Sequence, residues 1–413
     1  MRNIVKLCVV SIVFFLPNMY CKDNDTLIIN SYMHDEAPKK AFNDIVEMFK
    51  KENPDIKVVV NTYAVEQYKK LFSEWLHSEN PPDIATWYTG NKLNCIVKKG
   101  LLEPVDAVNP KESVDSEFSK IFKNSNSSND KLYFVPHCWY WWGIYYNKDL
   151  FKKLNLTVPD TWEEFLVVCE KLYNSHYYPI AIGAKDKWAA GAWFDCMDSA
   201  VNGGGFHRDL TNGKISYADP KVMKTFNHII TLSRKGYILP NAGSYSWQEA
   251  ANLLFSGKAG MCLMGQNIKD VAPPNAINNI DFFRFPVIDR NIENCVFVQT
   301  DGFVIPSNSK NKVAAKKFLA FITSPEIQEA FCKPLGRLSI NAKVSPPNED
   351  AKKGLLMITK SSQVLQFYER GTPEEISEKG LSAVTAIMTN PENTEFILSD
   401  LDKERIRIYR NMR

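Results

Sequence analysis

From Thr26 onward the apolar positions alternate between short dense runs and helical stripes. Leu27-Ile28-Ile29-Asn30 has the density of a buried strand, and after the loop 33–38 the residues Phe42, Ile45, Val46 and Phe49 return at the spacing of one helix face. Asn53-Pro54-Asp55 stops that helix, and the valine-rich run 56–63 predicts a second strand. A second stripe, Tyr68, Leu71, Phe72, Trp75 and Leu76, ends at Asn80-Pro81-Pro82, before a third strand at 83–88. This βαβαβ opening predicts a mostly parallel sheet with helices on its faces. Right-handed crossovers then gather the ligand-facing loops at the C-terminal strand edge, among them His34-Asp35-Glu36 and Trp87-Tyr88-Thr89-Gly90-Asn91.

The densest stretch is 132–150, LYFVPHCWYWWGIYYNKDL, which holds three of the nine tryptophans and four tyrosines. Strand alternation sends Trp139 and Trp141 to one face and Tyr140 and Trp142 to the other. One pair packs behind while Tyr140 and Trp142 look into a cleft. Downstream, Thr161-Trp162-Glu163-Glu164 and Ser246 with Glu249 are capping boxes, and Thr372 with Glu375 has the same form. Strands are expected at 179–184, 260–264, 282–288 and 296–305, the last broken by Asp301-Gly302; helices are expected at 189–201, closed by Asn202-Gly203-Gly204-Gly205, at 312–322, after Ser324-Pro325-Glu326, and from Ala351 on. Thr211-Asn212-Gly213-Lys214 has the composition of a hairpin turn. A short amphipathic piece surrounds Phe118, Ile121 and Phe122, and the polar tract 124–130 is expected to be an exposed loop.

With 413 residues the chain exceeds one comfortable core and suits two lobes. The formal charge of +3 falls to about +1 without Arg2 and Lys6, so no basic field is available for nucleic acid. Residues 1–20 have the charged, apolar and cleavage layout of a secretory signal, with an apolar run too short to span a bilayer. Cys21 stands where a lipoprotein's modified cysteine stands, although Tyr20 before it is bulky; lipid anchoring and plain cleavage both remain open. The seven cysteines of the mature body are scattered and set among apolar residues, which fits buried free thiols.

Hydrolase, phosphate-loop and dinucleotide motifs are missing, and the three adjacent residues His34-Asp35-Glu36 rarely converge on a metal. No cofactor or metal is therefore expected. Glu163 with Glu164 could serve glycoside hydrolysis, but the first turn of a helix explains both. The unusual feature is aromatic supply: Trp87, Tyr88, the 139–142 cluster and Trp193. Sugar rings offer apolar faces to such side chains and hydroxyls to Asp, Asn, Gln and Arg.

In this setting the chain resembles the extracellular solute-binding proteins of ABC importers, in their carbohydrate, maltose-binding-protein-like group. The resemblance rests on Phe49-Lys50-Lys51 with Ile56-Lys57-Val58, Pro82-Asp83-Ile84 with Trp87, and Ile144-Tyr145-Tyr146-Asn147-Lys148-Asp149-Leu150. It continues through Pro159 with Thr161-Trp162-Glu163-Glu164, Gly257-Lys258-Ala259-Gly260-Met261, and 314–321 leading into Ser324-Pro325-Glu326. It implies a two-lobed α/β fold, each lobe a mostly parallel sheet flanked by helices, with the ligand cleft between lobes. Residues 22–131 with 298–323 would form the first lobe and 132–297 with 324–413 the second. The partners implied are a carbohydrate ligand and ABC permease subunits outside the inner membrane, with the binding protein a monomer that touches membrane only through any lipid at Cys21.

Carried over by position, Trp87 and Trp193 stack on sugar from opposite lobes, Tyr140 stands where the family has an acidic ligand, and Phe367 and Tyr368 lie near a late stacking tryptophan. Tyr88, Trp142, Asp195, Gln266, Asp301 and Arg337 complete the expected site, with His34 at the rim, while Trp247 is expected to be core. Gly90-Asn91 replaces an acid and base pair of the family, and Gln266-Asn267 stands where an aromatic follows the glycine. The alternatives are a secreted glycan-active enzyme such as a glycoside hydrolase, and a surface adhesin or sensor.

Overall fold

The computed structural model of the chain describes residues 26–106, 127–128 and 131–411. The leader with Cys21, the piece around Phe118, Ile121 and Phe122, and most of the polar tract 124–130 lie outside the described residues.

The strands are β1 (Thr26–Ser31), β2 (Lys57–Thr62), β3 (Ile84–Tyr88), the small pair β4 (Ser127–Ser128) and β5 (Lys131–Leu132), β6 (Val135–Asn147), β7 (Tyr178–Ile180), β8 (Ala259–Gly265), β9 (Ile280–Phe283), β10 (Cys295–Val304) and β11 (Gln363–Leu365). The helices are α1 (Glu36–Glu52), α2 (Val65–His77), α3 (Asn91–Lys98), α4 (Lys148–Lys153), α5 (Trp162–Asn174), α6 (Trp188–Asn202), α7 (Gly204–Thr211), α8 (Pro220–Arg234) and α9 (Trp247–Phe255). They continue with α10 (Lys312–Ile322), α11 (Pro325–Leu335), α12 (Glu349–Thr359), α13 (Tyr368–Gly371), α14 (Glu374–Thr389) and α15 (Thr394–Arg410).

The main path of the sheet runs β2-β1-β3-β10-β6-β8-β7, with β9 also on β6 and β11 on β10. The βαβαβ opening gives parallel pairs of β1 with β2 and β3, and parallel pairing returns at β7 with β8 and β10 with β11. Between them lie two long strands, β6 and β10, antiparallel to each other and to their other main-path neighbours. The sheet is therefore mixed. Helix crossovers build its flanks, while the chain's passages between its two ends run directly along β6 and β10. β6 is buried over nearly its whole length, as a central strand covered on both faces must be, and its aromatic content follows from that.

Two cores divide the apolar residues. Phe42, Ile45, Val46 and Phe49 of α1 pack with Phe318 and Ile322 of α10, with Ile327 and Phe331 of α11, and with Val135, Cys138 and Tyr140 from the start of β6. The larger core joins Tyr68 and Phe72 of α2 to Trp141, Trp193, Phe282 and the helices of the second half. Helix α11 thus shares its core with α1 and α10, whereas the sequence placed everything after residue 323 with the second lobe. The apolar face of α11 packs toward α1 and α10, and beyond this helix Trp139 and Leu338 exchange backbone hydrogen bonds of 3.0 and 3.1 Å.

Three local expectations change. Thr211-Asn212-Gly213 ends α7 instead of turning a hairpin, because a positive-φ glycine closes helices as readily as it turns strands. The glycines after Asn202 end α6 at Gly203, and Gly204 at once begins α7. Thr372 does not cap α14; its hydroxyl donates to the Tyr368 carbonyl and Pro373 takes the cap position. The boxes at Thr161 with Glu164 and Ser246 with Glu249 are both formed.

Candidate functional site

A cavity of about 310 Å³ opens at the middle of the sheet, beside the two long strands. Its floor carries Tyr140 and Trp142 from β6 and Gln299 and Asp301 from β10. The loop after β1 supplies His34 and Asp35, α2 supplies Glu66 and Lys69, and the end of β3 supplies Tyr88. From the second half come Asp186, Trp188, Trp247 and Gln248; the turn 266–271 and the segments at Arg337 and α13 add Asn267, Asp270, Glu369 and Arg370.

One side of this cavity is aromatic. Trp142 donates its indole N–H to Gln299 Oε1 at 2.8 Å and meets Trp188 edge-on at 6.1 Å, and Trp188 lies 6.3 Å from Trp247. The other side is ionic. Asp301 accepts from the Tyr140 hydroxyl and from Arg370 Nη1, both at 3.0 Å, and the Arg370 guanidinium lies 4.5 Å over the Tyr88 ring. Burial opposes the charge on Asp301, but Arg370 beside it holds its carboxyl below the usual range. Arg337 pairs with Asp270 and lies 5.4 Å from the centre of the Tyr140 ring.

Lys69 of α2 reaches Glu369 of α13 at 2.7 Å, tying the two halves across the cavity. Burial pushes Glu369 up, yet Lys69 and Lys92 bring it down to about 2, so it stays ionised. The lining carries six carboxylates, Asp35, Glu66, Asp186, Asp270, Asp301 and Glu369, against the three cations Lys69, Arg337 and Arg370. The field inside is acidic.

Of the residues expected from sequence, the cavity gathers His34, Tyr88, Tyr140, Trp142, Asp301 and Arg337. Trp139 and Trp141 point away, Trp139 donating to the Ser339 carbonyl at 2.7 Å and Trp141 packing against Phe282. The other five do not reach it. Trp87 stacks on Phe72 with ring centres 3.8 Å apart and planes within 10°, inside the core. Trp193 is 1% exposed and packs with Phe165 and Phe285. Asp195 is buried under α13, accepting from the Tyr368 N–H at 3.1 Å and lying 3.4 Å from His207 Nε2. Gln266 donates to the Leu335 carbonyl at 2.6 Å, and the Tyr368 hydroxyl meets that of Tyr217.

Trp247, expected to be core, stands at the cavity wall, and the sequence reading passed over Trp188, Glu369 and Arg370. A signal for Trp188 and Trp247 existed, since each is the first residue of a helix and first-turn residues border loops. Glu369 and Arg370 had none, being two charges in a helical-looking tail. The Gly90-Asn91 departure also finds its reason here. Gly90 has φ +122 and a Cβ on it would lie 2.4 Å from the Arg370 carbonyl oxygen, while Asn91 Nδ2 donates to the Gly371 carbonyl at 3.4 Å. That pair seats α13 against the first half.

Compared with known proteins, residues 34–329 match the model of the bacterial extracellular solute-binding protein family. The chain belongs to this family. Among curated relatives of this solute-binding protein, an uncharacterised ABC transporter extracellular-binding protein of Pyrococcus horikoshii is 28% identical over 76% of this chain and 69% of its own length. A multiple sugar-binding protein of Streptococcus mutans is 23% identical over 74% of this chain and 73% of its own. Among solved structures, the bacterial solute receptor AcbH, described by an exclusive preference for β-D-galactopyranose, matches with a TM-score of 0.88 and 28% identity, covering 94% of this chain and all of that one. A chitin oligosaccharide binding protein matches with a TM-score of 0.83 at 21% identity, covering 94% of this chain and all of that one, which bears on the fold alone. As a solute-binding protein the chain has the two-domain α/β architecture of these neighbours, and its family is one of binding proteins that work outside the cell membrane.

Proposed function

We propose that the chain captures a small neutral sugar between its lobes and delivers it to the permease subunits of an ABC importer. The lobes divide at the middle of β6, at the middle of β10 and near residues 336–340. The observation that carries the reading is the two-sided cavity, with Trp142, Trp188 and Trp247 offering faces to a ring and Asp301, Arg370 and Arg337 offering charged partners to hydroxyls. Its volume, about 310 Å³, is near the lower end of the range of ~300–1,000 Å³ for ligand sites and suits a mono- or disaccharide. The excess of carboxylates disfavours sugar acids and sugar phosphates, since an added anion would meet like charge in a partly desolvated space. The related receptor AcbH, described by its preference for one pyranose, supports a ligand of that size.

The pair of carboxylates that the sequence offered to a hydrolase lies outside the cavity lining, with Glu164 held in the Thr161 capping box and Glu163 in the same first turn of α5. Isothermal titration and tryptophan fluorescence against a panel of monosaccharides, disaccharides, uronic acids and sugar phosphates test the reading. The expected outcome is binding of one neutral sugar, with its uronate bound at least about tenfold more weakly, and the sugar recovered intact. Turnover of the sugar, or preference for an anion, would overturn it.

A further inference from the structure

His137 lies at a break in the sheet register. Cys138 faces Asp301 and Pro136 faces Gly302, so His137 is the extra residue of a β-bulge on β6. Bulges re-aim a side chain out of strand alternation. Its carbonyl is fastened from α11, accepting from Gln328 Nε2 at 3.2 Å, and the residue belongs to the cavity lining although it is only 3% exposed. The ring packs between Phe303, centre to centre 5.3 Å, and Phe331 at 5.0 Å. In that aromatic setting phenylalanine would pack as well, with no polar atoms to desolvate. Yet among the described residues neither ring nitrogen has a protein partner, and burial pushes the imidazole down to about 3, so it is neutral with one donor and one acceptor. Three other buried atoms of the same cavity are also without protein partners, Arg337 Nε, Asn267 Oδ1 and, at the rim, His34 Nδ1. Buried polar groups are almost always paired, so a group left open on a cavity wall marks where a ligand completes it.

We propose that His137 reads a hydroxyl of the bound sugar, with Arg337 Nε and Asn267 Oδ1 completing the set that fixes which hydroxyl pattern the cleft accepts. This rests on the sugar-binding reading above. The set offers a neutral imidazole, a donor and an acceptor, which matches hydroxyl groups that both give and take hydrogen bonds and does not match an apolar or anionic ligand edge.

The test is His137→Phe, with affinity and thermal stability measured on the same full chain. Affinity for the sugar that the wild type binds best should fall by about tenfold or more, while the melting temperature without sugar holds or rises, because the buried nitrogens are gone. His137→Gln, which keeps a donor and an acceptor, should recover part of the affinity. Analogues lacking one hydroxyl at a time should show wild type and His137→Phe converging at a single position. Affinity of His137→Phe within about twofold of wild type, with sugar binding intact in the wild type, overturns this assignment alone. A wild-type chain that binds no sugar of the panel overturns the sugar reading and the assignment together. A His137→Phe chain that melts far lower shows an imidazole required for packing and also counts against it, and the His137→Gln comparison then decides the affinity question.

Discussion

Tryptophans 188 and 193 sit on one helix and do opposite things. Trp188 begins α6 at the cavity wall; Trp193 lies five residues on, roughly 140° round the helix, and faces the core instead. Trp188→Ala should weaken sugar binding by about tenfold or more while leaving the unfolding midpoint nearly unchanged, since its side chain is half-buried. Trp193→Ala should remove about 3–5 kcal/mol of stability and leave the affinity of the folded protein alone. Calorimetry and denaturant unfolding on both variants check the pair, and reversed results would reverse the assignment. The aromatic count in the sequence did not tell which rings face the cavity and which the core. Periodicity marks a face, and the neighbours that decide between core and cleft arrive from distant segments, as Phe165 and Phe285 do for Trp193. Tyr140 and Trp142 were legible because strand alternation leaves only two choices. His137 was not, because a bulge breaks that alternation.

At the scale of elements, α13 is the piece that assembles the site. It is four residues long, carries Glu369 and Arg370 into the cavity, and depends on what surrounds it. Gly90 accepts its backbone from one side and Asp195 holds its first N–H from the other. Gly90→Ala should therefore displace α13, separate Arg370 from Asp301 and Lys69 from Glu369, and lower sugar affinity by about an order of magnitude, because both a strained φ and a backbone clash must be relieved. A variant that binds as tightly as wild type would show that α13 does not need this seat. The long helices and the βαβαβ opening were readable from stripes and breakers; α13 was not, since four residues carry no period.

At the scale of the whole molecule, a buried charged cluster sets the response to pH. His207 lies between Asp198 at 3.0 Å and Asp195 at 3.4 Å, directly beneath α13. Burial pushes Asp195 up to about 7 despite His207, and the two aspartates outweigh burial to raise His207. Both groups hold protons more tightly folded than unfolded, so their stabilisation is full in acid and is lost as pH rises, from about 4 to 7 for Asp195 and above the ordinary histidine range for His207. Glu369 runs the other way: held down to about 2, its contribution is lost only as pH falls through the acid range. The melting temperature should peak on the acid side of neutrality and decline from about pH 6 to pH 9, and Asp195→Asn should flatten that decline. Thermal melts across this range check it, and a profile rising through neutrality would contradict it. The two-domain α/β fold was legible as a resemblance, whereas the core that α11 joins was not, since only packing reveals it.

Under the proposed function, strands β6 and β10, which join both ends of the sheet, would act as one leaf spring that bears its load at the middle. Tyr140 pairs with Gln299 and Trp141 with Val298 on the same stretch whose side chains floor the cavity. In that reading a sugar seated there would rest on the flexing part itself. Prying the two ends apart would then bend its footing, so that unloading would be geared to opening and a sugar would lose its grip as the spring straightens.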